Sequence, residues 1–176
     1  MKKTDLAYSA GLLDGEAYIG IKKSKPYKSQ GRTTPGYHAR IQVRMVDEPG
    51  VAVLAELFGG HLYVEQPHCE NGRPLYCWAL SDAKAEAAIR LVLPFLRVKN
   101  RQARIVLDLR GLQREGRKHR TKVTGHRNFP NKAGAVRVVE NRCFSDEYVE
   151  RCETYWMECR KINGLARFQE LPPCPR

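Results

Sequence analysis

Four side chains in one short stretch have the types and spacing to read a nucleic acid. Tyr37 to Met45 alternates without a break. Ala39, Ile41 and Val43 fall on one side, and His38, Arg40, Gln42 and Arg44 on the other. Strict period two is the pattern of a strand with one buried and one exposed face. The exposed row carries hydrogen-bonding groups of the kind that read base edges in a major groove. No acid interrupts it, which favours nucleic acid over the alternative of an ordinary solvated strand face.

The charge distribution points the same way. The 176-residue chain has a formal net charge of +12. From Ala17 to Val46 there is no acid, while Lys22, Lys23, Lys25, Lys28, Arg32, Arg40 and Arg44 fall there. From Gln113 to Arg142 nine Lys and Arg face only Glu115 and Glu140. A basic domain of this kind commonly binds a polyanion, and a merely solubilising surface does not call for two acid-poor blocks.

Hydrophobic residues make up 42% of the chain, enough for one folded domain or one protomer of a dimer. The six cysteines form no C-x-x-C pair, and His61, His68, Cys69 and Cys77 match no standard zinc spacing. Cys152 and Cys159, seven apart, share a helix face as small apolar residues. No apolar run approaches the roughly 20 residues of a membrane helix. The segment after Met1 is broken by Gly11, Asp14 and Gly15, unlike a secretory leader. The expectation is an intracellular protein, in cytoplasm, nucleoid or organelle, with no membrane partner.

The elements that must position these groups follow from periodicity and punctuation. Residues 5–16 read as a helix and 18–25 as a strand, with a Pro, Ser, Gly and Lys loop before the strand at 37–45. Asp47 caps a helix with Pro49 in its first turn, and Gly59 and Gly60 end it. A hairpin follows, Leu62–Gln66 and Pro74–Leu80, turning around Asn71 and Gly72. Ser81 is placed to cap a helix burying Ala85, Ala88, Ile89, Val92 and Leu93. Another helix, from about Asn100 to Leu112, presents Ala103, Ile105, Val106 and Leu109. Residues 113–142 read as an irregular basic loop. Ser145 starts a last helix through Ile162 that stops near Gly164, before a Pro-rich tail. The order predicts an α+β fold, a four-stranded antiparallel sheet with helices on one face and the other face free.

The first helix carries a second unusual pattern. Ala7, Gly11 and Gly15 lie at i, i+4 and i+8, a stripe of very small residues that admits a second helix at close range. Two glycines inside a helix cost about 1 kcal/mol each relative to alanine, which argues for close packing over a loose surface helix. Asp14 and Glu16 stand at the end of this helix.

Here the sequence resembles a known family. Ser9-Ala10-Gly11-Leu12-Leu13-Asp14-Gly15-Glu16-Ala17 resembles the LAGLIDADG motif, with Ser9, Gly15 and Ala17 departing from its first Leu, second Ala and final Gly, and Glu16 keeping the last carboxylate. Pro94-Phe95-Leu96-Arg97-Val98-Lys99-Asn100-Arg101-Gln102 is similar to a second family signature, P-[FY]-L-x-x-K-x-x-Q. The resemblance covers about residues 5–112 and matches the family's element order, an αββαββα core. It implies an endonuclease core over 1–112, a basic loop or arm over 113–144, and a C-terminal helix and tail over 145–176 within one domain.

What the resemblance implies is specific. The family's homing endonucleases, often intron-encoded meganucleases, cut long, partly palindromic duplex DNA sites by metal-dependent phosphodiester hydrolysis. One motif per chain implies a homodimer, packed through Ala7, Gly11, Leu12 and Gly15 of the motif helix. Glu16 would be the catalytic acid and metal ligand, with the Gly15 carbonyl beside it, holding Mg²⁺ or another divalent cation such as Mn²⁺. Lys99 would be the basic catalytic residue. The two sheets would form a DNA-binding saddle, with Lys22, Ser24, His38, Arg40, Gln42 and Arg44 facing the duplex and Arg73 a further contact. Lys28, Arg32 and the basic block would meet phosphates. The family often places a glutamine just after the second strand, where Met45 stands here. Two alternatives keep the fold: a catalytically silent DNA-binding regulator, and an RNA-splicing maturase with intron RNA as partner.

Overall fold

The computed structural model describes residues 1–26, 34–67, 72–116, 118–130 and 136–164, and for 124–130 and 136–142 the backbone alone. Helix α1 (Lys3–Glu16) leads directly into β1 (Ala17–Ser24), followed by β2 (Gly36–Met45), α2 (Glu48–Phe58), β3 (His61–Glu65), β4 (Leu75–Ser81), α3 (Asp82–Val92) and α4 (Asn100–Arg114). The chain continues through β5 (Lys122–Pro130), β6 (Val136–Cys143) and α5 (Asp146–Ile162).

The first four strands make one antiparallel sheet in the order β1-β2-β4-β3. Its alternation decides what each face does. Ile19, Ile21, Ala39, Ile41, Val43, Trp78 and Leu80 are buried against the helices. Helices α3, α4 and α5 pack over β1 and β2, and α2 over the β2, β4 and β3 side. Trp78 is fully buried and donates its indole N–H to the Gly59 carbonyl at 2.7 Å, so its one polar atom is satisfied. Gly59 and Gly60 end α2 with positive φ, and a Cβ on Gly60 would strike Leu80 and Trp78.

The expected caps hold at two of three helices. Asp47 accepts from Gly50 N at 3.0 Å and Ser145 from Tyr148 N at 3.2 Å. Ser81 does not cap α3. Its hydroxyl accepts from Arg40 Nη1 at 3.0 Å. Asp82 adopts a left-handed φ of 48°, and its carboxylate accepts the Ala39 N–H at 3.2 Å and lies 3.1 Å from His38 Nδ1. The helix layer has its own polar centre. Glu86 on α3, 7% exposed, accepts from Arg90 at 2.9 Å and Arg110 at 3.2 Å, and pairs with Arg114. Burial alone would raise its pKa, but the three arginines outweigh burial and hold it below the usual carboxylate range.

The expectation of an irregular loop over 113–142 is corrected. Helix α4 runs to Arg114, and β5 and β6 form an antiparallel hairpin. Averaging composition over that block let Gly125, Pro130 and Asn131 outweigh a β-branched set, Val123, Thr124, Val136, Val138 and Val139, that favours strands. The expected turn around Asn71 lies partly outside the described residues, and the Pro-rich tail lies wholly outside them. No helix among the described residues is long and apolar enough to cross a membrane.

Candidate active corner and nucleic-acid interface

The end of α1 sends its two acids in different directions. Residues two apart on a helix do not face each other. Asp14 turns toward the segment before α4. Its Oδ2 accepts the backbone N–H of Arg97 at 2.7 Å and Val98 at 3.2 Å, and its Oδ1 accepts that of Lys99 at 2.9 Å. Burial would raise the Asp14 pKa, but these three donors and the nearby Lys99 charge bring it below its ordinary 3.8. Glu16 is exposed and makes no hydrogen bond or ion pair among the described residues.

Lys99 closes the corner. Its Nζ donates to the Leu13 carbonyl at 2.9 Å and to the Gly15 carbonyl at 3.3 Å. Burial lowers its pKa, and the charges of Asp14 and Glu16 raise it only in part, leaving it below the ordinary 10.5. The residues of the two sequence signatures therefore converge. A carboxylate with unoccupied oxygens, a backbone carbonyl and a partly desolvated ammonium stand together at the junction of α1, β1 and α4.

The donor set fits a hard divalent cation in kind. Glu16 and the Gly15 carbonyl supply oxygen, and a carbonyl has a second lone pair beyond the one Lys99 takes. No group of three or more His, Cys, Asp or Glu able to hold a metal occurs among the described residues. A site at Glu16 thus needs ligands beyond the described residues, such as water, phosphate or a second Glu16. Of the zinc set considered above, His68 and Cys69 lie outside the described residues.

The small-residue stripe is open. Ala7, Gly11 and Gly15 are exposed, while Ser9, Ala10 and Leu13 pack inward. A Cβ on Gly11 or Gly15 would meet nothing within 4 Å. Tyr8 is 57% exposed beside the stripe. Leu12, expected at the same interface, is half-buried against the chain's own core.

The free face of the sheet is continuous across four strands. Cα pairing puts Lys22 opposite His38, Ser24 opposite Gly36, Arg40 opposite Ser81 and Arg44 opposite Cys77, with Cys77 opposite Tyr63. Opposed residues share a face, so Lys22, Ser24, His38, Arg40, Gln42 and Arg44 lie together as expected. Sequence reasoning missed their partners. Gln42 donates to Tyr63 Oη at 3.1 Å, and Arg44 pairs with Glu65. The row without acids on β2 is thus met by one from β3. Alternation over His61–Glu65 was the signal that could have placed Tyr63 and Glu65 there. Arg73 is exposed, outside any strand. Lys28 and Arg32 lie outside the described residues. Met45 is half-buried and packs toward Gly50 of α2, so it supplies no polar group to the corner.

The sequence matches no protein-family model and no curated protein. Solved structures match it by shape. I-Vdi141I, an archaeal intron-encoded homing endonuclease complexed with DNA, aligns with a TM-score of 0.63 at 12% identity, covering 92% of this chain and 86% of its own. I-SmaMI, bound to uncleaved DNA target in the presence of calcium ions, aligns at 0.53 and 14% identity over 97% of this chain and 51% of its own. The chain spans about half of I-SmaMI. The homing endonuclease I-CvuI, in complex with its target, aligns at 0.50 and 16% identity, covering 67% of this chain and 72% of its own. At these identities the likeness is one of architecture, and the architecture of this chain is the LAGLIDADG homing endonuclease fold.

Proposed function

We propose that two copies of this chain bind a long, partly palindromic duplex DNA site and cut both strands by Mg²⁺-dependent phosphodiester hydrolysis. The observation that carries this reading is the convergence of Lys99 on the carbonyls of Leu13 and Gly15, beside an exposed Glu16. Binding to duplex DNA is supported by the complexes in which I-Vdi141I and I-SmaMI were solved.

The chain's groups divide the work. Helix α1 docks against its mate along Ala7, Gly11 and Gly15, which lack the side chains that would hold two helices apart. That docking brings two Glu16 carboxylates under the duplex. Glu16 and the Gly15 carbonyl would hold a divalent cation there, which when bound would supply Lewis-acid chemistry and an activated water. Lys99 adds fixed positive charge where negative charge develops. Lys22, Ser24, His38, Arg40, Gln42 and Arg44 read base edges from the free face, Arg73 adds a contact, and Lys28, Arg32 and the basic hairpin meet phosphates. Residues 1–112 form the endonuclease core, 113–144 a basic arm and 145–176 the closing helix and tail.

The test is selection of cut sites from a randomised duplex library with purified protein and Mg²⁺. The expected result is a cleaved population converging on one site with approximate two-fold symmetry. Tight duplex binding with no cleavage in Mg²⁺ or Mn²⁺ would replace the nuclease with a silent regulator. A preference for structured RNA over every duplex would replace it with a maturase.

A further inference from the structure

Helix α4 begins at a residue poorly suited to start it. Its N-cap position is Lys99, whose side chain makes no capping bond. Serine, threonine, aspartate and asparagine are preferred there because their short side chains accept the unpaired N–H groups of the first turn. The N–H groups of Arg97, Val98 and Lys99, the residues that lead into the helix, all point to Asp14, 85 residues away from Lys99 in the chain. The acceptor that orders the turn leading into this helix comes from the end of α1.

The arrangement frees Lys99 for another task. With its backbone fixed on Asp14, its side chain runs back along α1 and its Nζ reaches Leu13 O and Gly15 O, the carbonyls on either side of Asp14. Backbone and side chain of Lys99 are both fastened to the same turn of α1. Both Asp14 oxygens already accept backbone N–H groups of the 97–99 turn, so the carboxylate is committed to that segment.

We infer that Asp14 is a positioning residue for Lys99, fixing the 97–99 turn so that the ammonium lies beside Gly15 and Glu16. The inference rests on the reading of Lys99 as a group that acts at the scissile phosphate. A purely stabilising cap would also take these hydrogen bonds, so the test must separate positioning from stability.

The experiment compares Asp14→Ala and Asp14→Asn with the full-length protein, alone and combined with Lys99→Met. Two readouts do not depend on activity: amide hydrogen exchange at Arg97, Val98 and Lys99, and the rate at which the Lys99 amine is acylated, followed by mass spectrometry. Asp14→Ala is expected to speed both, and Asp14→Asn, which keeps one acceptor oxygen, to do so less. In single-turnover cleavage Asp14→Ala is expected to lose about 10²-fold, the scale of a misplaced group near the chemistry. Duplex affinity should stay within about two-fold, because the lost interaction acts in the transition state. In the Lys99→Met background the same change should add little, since the residue being positioned is gone.

Losses that multiply in the double variant would overturn the inference and leave Asp14 a structural cap. Unchanged exchange and acylation in both Asp14 variants would overturn it as well. If the unaltered protein cuts nothing, the nuclease reading fails, while exchange and acylation still decide whether Asp14 holds Lys99. Should Asp14→Ala not fold, Asp14→Asn carries the same comparison.

Discussion

The corner at the end of α1 and the free face of the sheet hold their polar groups in opposite ways. At the corner the partners are backbone: three N–H groups on Asp14 and two carbonyls on Lys99. None of these can move without moving a helix end. On the sheet the partners are side chains: Glu65 for Arg44, Tyr63 for Gln42, Ser81 for Arg40 and Asp82 for His38. Arg44 is 52% exposed and Glu65 34%. An exposed pair of that kind contributes about 0–1 kcal/mol and exchanges partners readily. Fixed geometry suits a reaction whose groups must be placed before the transition state forms. Exchangeable pairs suit a surface whose partner supplies its own donors and acceptors.

Three substitutions bear on that contrast, beginning with the largest expected effect. Glu16→Gln removes a charge at the corner without changing its size, and cleavage should fall by about 10³-fold or more while binding in a gel-shift assay survives. Cutting at the normal rate would remove Glu16 from the chemistry. Lys99→Met should slow single-turnover cleavage by about 10²-fold, with a much smaller loss of affinity. Equal losses in both would make Lys99 a phosphate clamp and bring the corner closer to the sheet in character. Glu65→Gln is the smallest. It releases Arg44 from its counter-charge, and duplex affinity measured by titration should rise a few-fold, by about 1 kcal/mol at most. The gain should shrink as salt is added. A fall in affinity would show that Glu65 orients Arg44 for its target, a fixed geometry on the sheet too.

Much of the scaffold was legible because its causes are local. Period two over Tyr37–Met45, the Asp47 and Ser145 caps and the small-residue spacing in α1 all act within a few residues, and each element formed within a residue or two of its expected bounds. The β5–β6 hairpin was missed because a Val-rich strand was averaged with a Gly, Pro and Asn segment. Ser81 failed as a cap because Arg40, on a neighbouring strand, competed for its hydroxyl. Of the candidate site, Glu16 and Lys99 were singled out by motifs. Their setting did not, because Asp14 meets residues 83 to 85 positions away. Glu65 likewise reaches Arg44 only through strand order. Sequence spacing carries no record of such meetings until the register is known.

One detail of β1 reaches beyond the single molecule. It is an edge strand, and α5 lies along it, with Asn163 Nδ2 donating to the Ile19 carbonyl at 3.1 Å and Cys159 Sγ at 3.8 Å from the same oxygen. An uncovered edge is a template on which foreign strands can add, the first step toward fibrous aggregates. Here an incoming strand must first displace two side chains and the helix that carries them. The helix layer thus guards the β1 side of the sheet, and only β3, at its far side, keeps an edge without α5 along it.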